Sequence, residues 1–167
     1  MEITYNDIQI SDQYLSPEVT QIKPIVSLTG LDTNKTYTLI MSDPNAVVGN
    51  YIHWLVININ GTSNINNIET CKAILEYYGP RPPPESGEHN YIFSLYESNK
   101  NNKINQIERQ IELAELLTKL DITGKPIYTK KFTSHNSISK GGKRKKNKSK
   151  RRSKKTRKNR KTKRRRY

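Results

Sequence analysis

Four residues that can donate, accept or hold protons fall in two short stretches of this sequence. Asp43 and His53 belong to SDPNAVVGNYIHWLVI, and His89 and Tyr91 belong to YYGPRPPPESGEHNYIFSLY. Histidine N–H and phenolic O–H groups are donors, and donors gathered at a partly dry rim bind an anion more strongly than in water. Asp43 would repel an anion. It is therefore predicted to accept from one nitrogen of His53 and aim the other into the pocket, or to meet the ammonium of a zwitterionic headgroup.

The elements that must position these residues are strands and a rigid lip. His53 opens HWLVININ, the most apolar run of the chain, while His89 and Tyr91 lie two residues apart, so both point to one face of a strand. Before them, Gly79 and four prolines predict an extended lip without regular hydrogen bonding. The Arg81 side chain either turns inward, where it would favour phosphate, or stays solvated at the surface.

Catalysis and metal binding are less consistent with these residues. Ser42 and Asp43 are neighbours on a strand and point to opposite faces, so both cannot easily reach one histidine, and no Gly-rich elbow presents a nucleophile. Two histidines and one aspartate lack the further carboxylate or thiolate that a metal site needs. We therefore expect no enzymatic activity, no metal and no cofactor.

The hydrophobic pattern predicts a β-rich sandwich with one late helix. Short alternating or apolar runs predict strands, among them ITYNDIQI, IVSL, YTLIM, HWLVININ and IYTKKF, with HWLVININ placed centrally. In NKINQIERQIELAELLTKLD the apolar positions recur at three and four residues, which predicts an amphipathic helix of about 13 to 18 residues covering an edge or end. This order of elements alone does not distinguish a Greek-key sandwich from a barrel.

The two motifs together resemble a known family. DPxA…HWLV and YYGPxPPxxxGxHxYxFxLY are similar to the motifs of the phosphatidylethanolamine-binding protein family, which includes Raf kinase inhibitor proteins, and flanking agreement extends the resemblance roughly from Ile3 to Phe132. It implies an antiparallel β-sandwich, a large central sheet facing a smaller one, with a ligand pocket at one end of the strands. It carries a ligand-binding assignment over to the positions in the two motifs, namely Asp43, His53, Gly79, Pro80, His89 and Tyr91.

The chain departs from the family pattern at one turn. Where the family usually has DPDAP, this sequence has DPNAV, so Asn45 replaces a second carboxylate and Val47 replaces a proline. A cationic headgroup would thereby lose one partner.

The charge divides the chain into two regions. Residues 140–167 hold 19 of the 30 Lys and Arg and none of the 15 Asp and Glu, so the tail carries +19 and residues 1–139 carry −4. The body, 1–139, is long enough for one core, whereas the tail follows a Gly-Gly pair and is predicted to be disordered. The sequence shows neither a secretory signal nor an apolar run of roughly 18 residues, so we expect an intracellular protein, neither secreted nor transmembrane.

The tail requires a polyanionic partner. Nucleic acid and an anionic membrane are both candidates, because each gathers many negative charges on one surface. The Asn- and Lys-rich composition is also compatible with a viral, virion-associated protein.

These observations lead to one functional prediction and two alternatives. The first is a non-enzymatic, monomeric binding protein, whose pocket takes a phosphate-bearing small molecule or phospholipid headgroup and whose tail tethers it to polyanions. The second is an inhibitor that acts on a kinase or protease partner through its surface. The third is a nucleic-acid- or virion-associated basic protein with a passive domain.

Overall fold

The computed structural model describes residues 1–61, 68, 71–98 and 102–136, which form two facing antiparallel sheets and an α-helix. The elements are β1 (Glu2–Tyr5), β2 (Ile8–Gln9), β3 (Ile25–Ser27), β4 (Thr36–Asp43), β5 (Tyr51–Asn60), β6 (Lys72–Leu75), β7 (His89–Ser98), α1 (Leu113–Lys119) and β8 (Tyr128–Ser134). The predicted mostly-β sandwich is confirmed. The predicted disorder of the tail lies outside the described residues.

The smaller sheet has the order β2-β1-β3 and begins with a tight hairpin. Asn6 and Asp7 both have positive φ, 44° and 65°, which is the backbone conformation of a two-residue turn between strands that twist in the usual sense. The run ITYNDIQI, predicted as one strand, is therefore two strands. Asn and Asp tolerate the left-handed region better than most residues, which explains the turn at this point.

The larger sheet has the order β6-β5-β4-β7-β8, so β4 is central and β5, predicted to be central, lies beside it. Every residue of β4 is buried because both faces of this sheet are covered. Leu39 and Met41 face the core between the sheets with Trp54 and Phe93, whereas Ile40 faces the opposite side. The strict alternation of β4 thus supplies two hydrophobic layers.

The late helix is much shorter than predicted. Helix α1 covers 113–119, and 102–112 runs extended, with Gln110 forming an isolated bridge to Tyr51. Asn102 ties this segment to β5 through reciprocal bonds with Asn58 of 3.0 and 3.1 Å. Arg109 donates to backbone carbonyls of β5 and of the segment after β6. These polar links hold the chain extended, although its isoleucines recur at helical spacing.

The helix and the extended segment cover the outer face of the larger sheet rather than its edge or end. Leu116 and Leu120 pack with Ile40, Ile52 and Leu55 in a second hydrophobic cluster. Burying this face of the sheet stabilises it by removing apolar surface from water. Within the described residues, no helix is long and apolar enough to cross a membrane.

Candidate functional site

A cleft of about 290 Å³ opens where β4 ends and where β5 and β7 begin. The proline lip of residues 78–83 forms one side, and the turn that joins β4 to β5 forms another. The cleft is lined by Asp43, Ala46, Val47, Val48, Tyr51, His53, Tyr78, Arg81, Pro82, Pro83, His89 and Tyr91. Four of the six predicted binding residues therefore come together here.

Asp43 is paired with His89 and not with His53, so the predicted Asp43–His53 interaction is wrong. Its Oδ2 lies 2.7 Å from Nδ1 of His89, and both side chains are buried. Its Oδ1 accepts from the backbone N–H of Asn45 at 2.8 Å. In the β4–β5 register Asp43 lies opposite Tyr51. The register shifts between Met41, which pairs with Trp54, and Ser42, which pairs with Ile52, so His53 has no partner on β4 and is not opposite Asp43.

His53 is held by the lip. Its Nδ1 lies 2.7 Å from the carbonyl oxygen of Tyr78, which can only accept, so this nitrogen carries the hydrogen. Burial lowers the pKa of His53, against an opposing contribution from the Tyr78 bond. In the neutral ring, Nε2 is then an unprotonated acceptor, without a protein partner among the described residues. Only the protonated ring offers a donor from Nε2.

Tyr91 supplies the donor that has no partner. Its side chain is fully buried, and its hydroxyl makes no hydrogen bond of ordinary geometry within the part of the chain that the structure describes. Burial raises its pKa, with a further contribution from the nearby Asp43 carboxylate, so the O–H stays protonated. The ring packs edge-on against His53 at 5.1 Å and stacks on Phe132 at 5.2 Å. A buried hydroxyl fixed in this way is costly unless something occupies the cleft.

His89 belongs to a closed chain of hydrogen bonds. Its Nε2 lies 2.9 Å from Oγ of Ser86, and that hydroxyl donates to the carbonyl of Pro83 at 2.7 Å. The order Asp43–His89–Ser86 is that of a nucleophilic triad. However, the Ser86 proton is directed to Pro83, and Ser86 does not line the cleft. Both nitrogens of His89 are thus occupied, Nδ1 by Asp43 and Nε2 by Ser86.

Gly79 and Pro80 belong to the lip but do not line the cleft. Both are buried, and a Cβ on Gly79 would lie 2.6 Å from the carbonyl oxygen of Thr20. The carbonyl of Pro80 accepts from Nε2 of Gln21 at 2.9 Å. The motif requires glycine here because the lip packs against the backbone of the 3-10 turn that contains Thr20.

Arg81 lies at the rim. Its Nε donates to Oε1 of Gln21 at 2.8 Å, and its guanidinium carbon is 5.5 Å from the ring centre of Tyr78. The side chain is exposed to solvent and also lines the cleft, so the two alternatives that the sequence left open are not exclusive.

The sequence reasoning missed several lining residues and one half-buried support, Arg109. Tyr51 precedes His53 by two positions and Tyr78 precedes Gly79, so strand alternation and the motif boundary are signals for both. Arg109 had no such signal. Its Nη1 lies 3.0 Å from each of the carbonyl oxygens of Ile52 and His53, and its Nη2 lies 2.8 Å from that of Glu76. It thereby fixes the strand that carries His53.

Asn45, the departure from the family motif, has a structural role. Its Oδ1 accepts from the backbone and side-chain N–H groups of Asn90, both at 2.9 Å, which ties the β4–β5 turn to β7. Asn45 brings no negative charge to the cleft. The Asp43 carboxylate is therefore the acidic group among the lining residues, and it is already paired.

Comparisons with known proteins show what this chain is similar to. A family model described as phosphatidylethanolamine-binding protein matches residues 6–140. The rice Protein MOTHER of FT and TFL1 homolog 2 is 36% identical over 104 residues, which are 58% of this chain and 56% of that protein. Protein TERMINAL FLOWER 1 of Arabidopsis thaliana is 32% identical over 103 residues, 58% of this chain and 55% of that protein. The matched part therefore spans little more than half of these relatives.

Solved structures share the fold. A carboxypeptidase Y inhibitor, seen with its cognate proteinase, superposes with a TM-score of 0.67 at 18% identity, covering 81% of this chain and 82% of that one. The phosphatidylethanolamine-binding protein from Plasmodium vivax gives 0.62 at 18% identity, covering 81% and 84%. At this identity the likeness shows a common architecture.

Proposed function

Because this chain belongs to the phosphatidylethanolamine-binding protein family, we propose that it is a non-enzymatic binding protein whose cleft takes a phosphate-bearing anionic group. The observation that carries this proposal is the buried hydroxyl of Tyr91, a residue that lines the same cleft as His53. Among the described residues this hydroxyl makes no hydrogen bond of ordinary geometry, although it lies close enough to the Asp43 carboxylate to interact with it. An anion between Tyr91 and His53 would accept from both, which satisfies the hydroxyl and offers protonated His53 a counter-charge.

The size of the cleft limits the ligand. About 290 Å³ is at the lower end of the range for small-molecule pockets, roughly 300–1,000 Å³. A phosphate ester or a phospholipid headgroup fits this space, whereas a larger ligand would extend beyond the mouth.

The charges favour the phosphate over a cationic part of the ligand. Asp43 is fully engaged with His89 and Asn45, and Asn45 stands where the family usually has a second carboxylate. An ammonium group therefore finds no free carboxylate among the lining residues. Inorganic phosphate and phosphorylethanolamine should bind with similar affinities, because the phosphate supplies most of the contacts.

The proposal makes a testable prediction for Tyr91→Phe, which removes the hydroxyl and keeps the ring. We expect roughly a five- to tenfold loss of affinity for phosphorylethanolamine, the equivalent of one neutral hydrogen bond. Stability should not fall, because the lost hydroxyl is unpartnered. Affinity is measured by calorimetry in phosphate-free buffer on the full chain.

Tyr96→Phe is the matched control. Tyr96 is also buried, but it belongs to the cluster on the outer face of the larger sheet. Both variants keep the basic tail, so any binding of ligand by the tail is the same in both. Equal affinities of the wild type and Tyr91→Phe would refute the role of the cleft.

We further propose that residues 140–167 bind a polyanion. Their 19 Lys and Arg without any acid are what supports this. Such binding weakens steeply with salt, since it depends on the release of counterions. A nucleic acid and an anionic membrane are the two candidate partners of the tail.

A second candidate function is inhibition of an enzyme through the protein surface. The fold is shared with a carboxypeptidase Y inhibitor that was solved with its proteinase. Under this alternative, a variant such as His53→Ala would lose phosphorylethanolamine binding and still inhibit its partner.

A further inference from the structure

The mouth of the cleft is surrounded by apolar side chains that are open to water. Val47 is 76% exposed and Val48 is 60% exposed, and both lie on the turn between β4 and β5. Tyr78, on the lip across the cleft, is 41% exposed. All three line the cleft. We call Val47, Val48 and Tyr78 the apolar rim.

The apolar rim does little for the stability of the fold. Two neighbouring valines with most of their surface in water gain little from packing, and they flank the one site where a ligand is proposed to enter. Exposed apolar groups that border a polar opening are typical of a surface that another body covers.

The basic tail leaves the domain at the same end. Ser134, the last residue of β8, is paired with His89, which lines the cleft. The described chain continues to Asn136. Lys140 is four residues farther, within about 14 Å even when that segment is fully extended. The 19 positive charges of residues 140–167 therefore follow, in sequence, a strand that ends at the cleft end of the domain.

We propose that this end of the molecule docks on an anionic lipid surface. The apolar rim would enter the interfacial layer, a headgroup phosphate would occupy the cleft, and the tail would bind the surrounding acidic lipids. This inference rests on the proposed function, because it names the source of the phosphate group.

The chemistry of the rim favours a lipid surface over nucleic acid. Single-stranded nucleic acid is bound by aromatic side chains on which bases stack, and valine offers no such face. The bilayer interface accepts both aliphatic side chains and tyrosine. A tail with many Lys and Arg adds attraction to acidic headgroups.

Carboxylates at the same end make the tail necessary. Glu85 and Glu88 are exposed beside the lip, and the carboxylate of Glu112 lies next to Gly49 in the β4–β5 turn. Arg81 is the cation among the residues that line the cleft. The domain alone would therefore be repelled by acidic lipid. The tail supplies the attraction and raises the effective concentration of rim and cleft at the surface.

The experiment compares binding of the full chain to phosphatidylcholine vesicles with and without phosphatidylserine. The test variant is Val47→Ser/Val48→Ser, which changes exposed residues and should leave the melting temperature unchanged. We expect about a tenfold loss of partitioning to the acidic vesicles. Added salt should weaken every protein, because it screens the tail.

The control variant is Ile25→Ser/Ile127→Ser. These residues are 60% and 44% exposed, so they are exposed aliphatic side chains like Val47 and Val48, although somewhat less accessible. Ile25 lies on the smaller sheet, and Ile127 precedes the strand end that is opposite the cleft. We expect less than about a twofold change in partitioning.

Two results would overturn the docking proposal. Equal partitioning of the wild type and the rim variant would mean that the tail alone binds the vesicles. A rim variant that weakens binding to a short DNA duplex, and not to vesicles, would make nucleic acid the partner of this surface. Affinity for soluble phosphorylethanolamine separates these failures from a failure of the cleft: it should be reduced in Tyr91→Phe, which leaves the apolar rim intact.

Discussion

The two histidine-bearing walls of the cleft differ in how completely their hydrogen bonds are satisfied. On the β7 wall, His89 contacts Asp43 at 2.7 Å and Ser86 at 2.9 Å, so neither ring nitrogen is open. On the β5 wall, His53 contacts the carbonyl of Tyr78 at 2.7 Å through Nδ1 alone. One wall is a closed network, and the other keeps a titratable nitrogen for a ligand.

The difference separates two roles that the sequence presents as alike. His89 contacts and positions the buried Asp43 carboxylate, which is a structural task. His53 can change its charge without breaking the bond that orients it, because Nδ1 donates to Tyr78 in both protonation states. The histidine that responds to a ligand should therefore be His53.

The largest predicted effect comes from breaking the closed wall with His89→Ala. This substitution leaves the Asp43 carboxylate buried and without its partner, which should lower the free energy of unfolding by about 3–5 kcal/mol. Urea denaturation of the purified protein measures the change.

His53→Ala is the comparison on the other wall. It removes one hydrogen bond to a carbonyl, so the expected loss is about 1 kcal/mol plus the packing of the ring. If the two alanine variants lost the same stability, the two walls would not differ as described.

A smaller effect is predicted for Arg109→Ala, which loosens the open wall. Arg109 donates to three backbone carbonyls, and hydrogen bonds from a charged group are worth about 1.5–3 kcal/mol each at most, less where they are partly exposed. We expect a total loss of about 2–3 kcal/mol by denaturation.

Arg109→Lys is the control for charge. It keeps the positive charge but cannot donate to three carbonyls at once. If Arg109→Lys retained wild-type stability, the charge rather than the geometry of the guanidinium would be what holds β5.

The cleft also shows what the sequence could and could not predict. The alternation of strands and the two motifs predicted the sandwich and brought Asp43, His53, His89 and Tyr91 to one cleft. The pairing of Asp43 depended on a register shift at His53 of β5, which no periodicity reveals. Gly79 of the lip was predicted to bind the ligand, and what the structure shows at this residue is close packing against the backbone of Thr20.

The helix shows a different limit. Isoleucines spaced three and four residues apart are compatible with an amphipathic helix. They can also pack against the sheet when the chain that carries them is extended. Asn102 and Arg109 decide between these possibilities through contacts with β5, and those contacts join residues more than 40 positions apart in sequence. Local patterns carry no information about such partners.

The pH dependence of stability should differ between the wild type and His53→Gln. Burial lowers the pKa of His53 below its usual 6.5, so the unfolded chain takes up a proton more readily than the folded one. The stabilisation is complete above the ordinary pKa and is lost as pH falls through the folded value. Denaturation between neutral and mildly acidic pH measures both proteins. The wild type should lose stability more steeply, and parallel curves would contradict this.

The smallest predicted effect is that of Asn45→Asp, which restores the carboxylate usual in the family. An aspartate can still accept from Asn90, so stability should change by less than about 0.5 kcal/mol. The added charge should weaken binding of inorganic phosphate by about two- to threefold. It should affect phosphorylethanolamine less, since the ammonium gains a partner. Calorimetry with both ligands measures the difference, and an equal effect on both would exclude an ammonium near this turn.

The open β5 wall with His53, and not the closed β7 wall with His89, should respond to a phosphate-bearing ligand. The most direct test is an NMR titration of the histidine ring resonances against pH, with and without phosphorylethanolamine, using His135 as an internal reference outside the cleft. We predict that the ligand raises the pKa of His53, because the bound anion favours the protonated ring, and leaves the ring resonances of His89 in place. An unchanged His53, or equal shifts at both cleft histidines, would contradict the account.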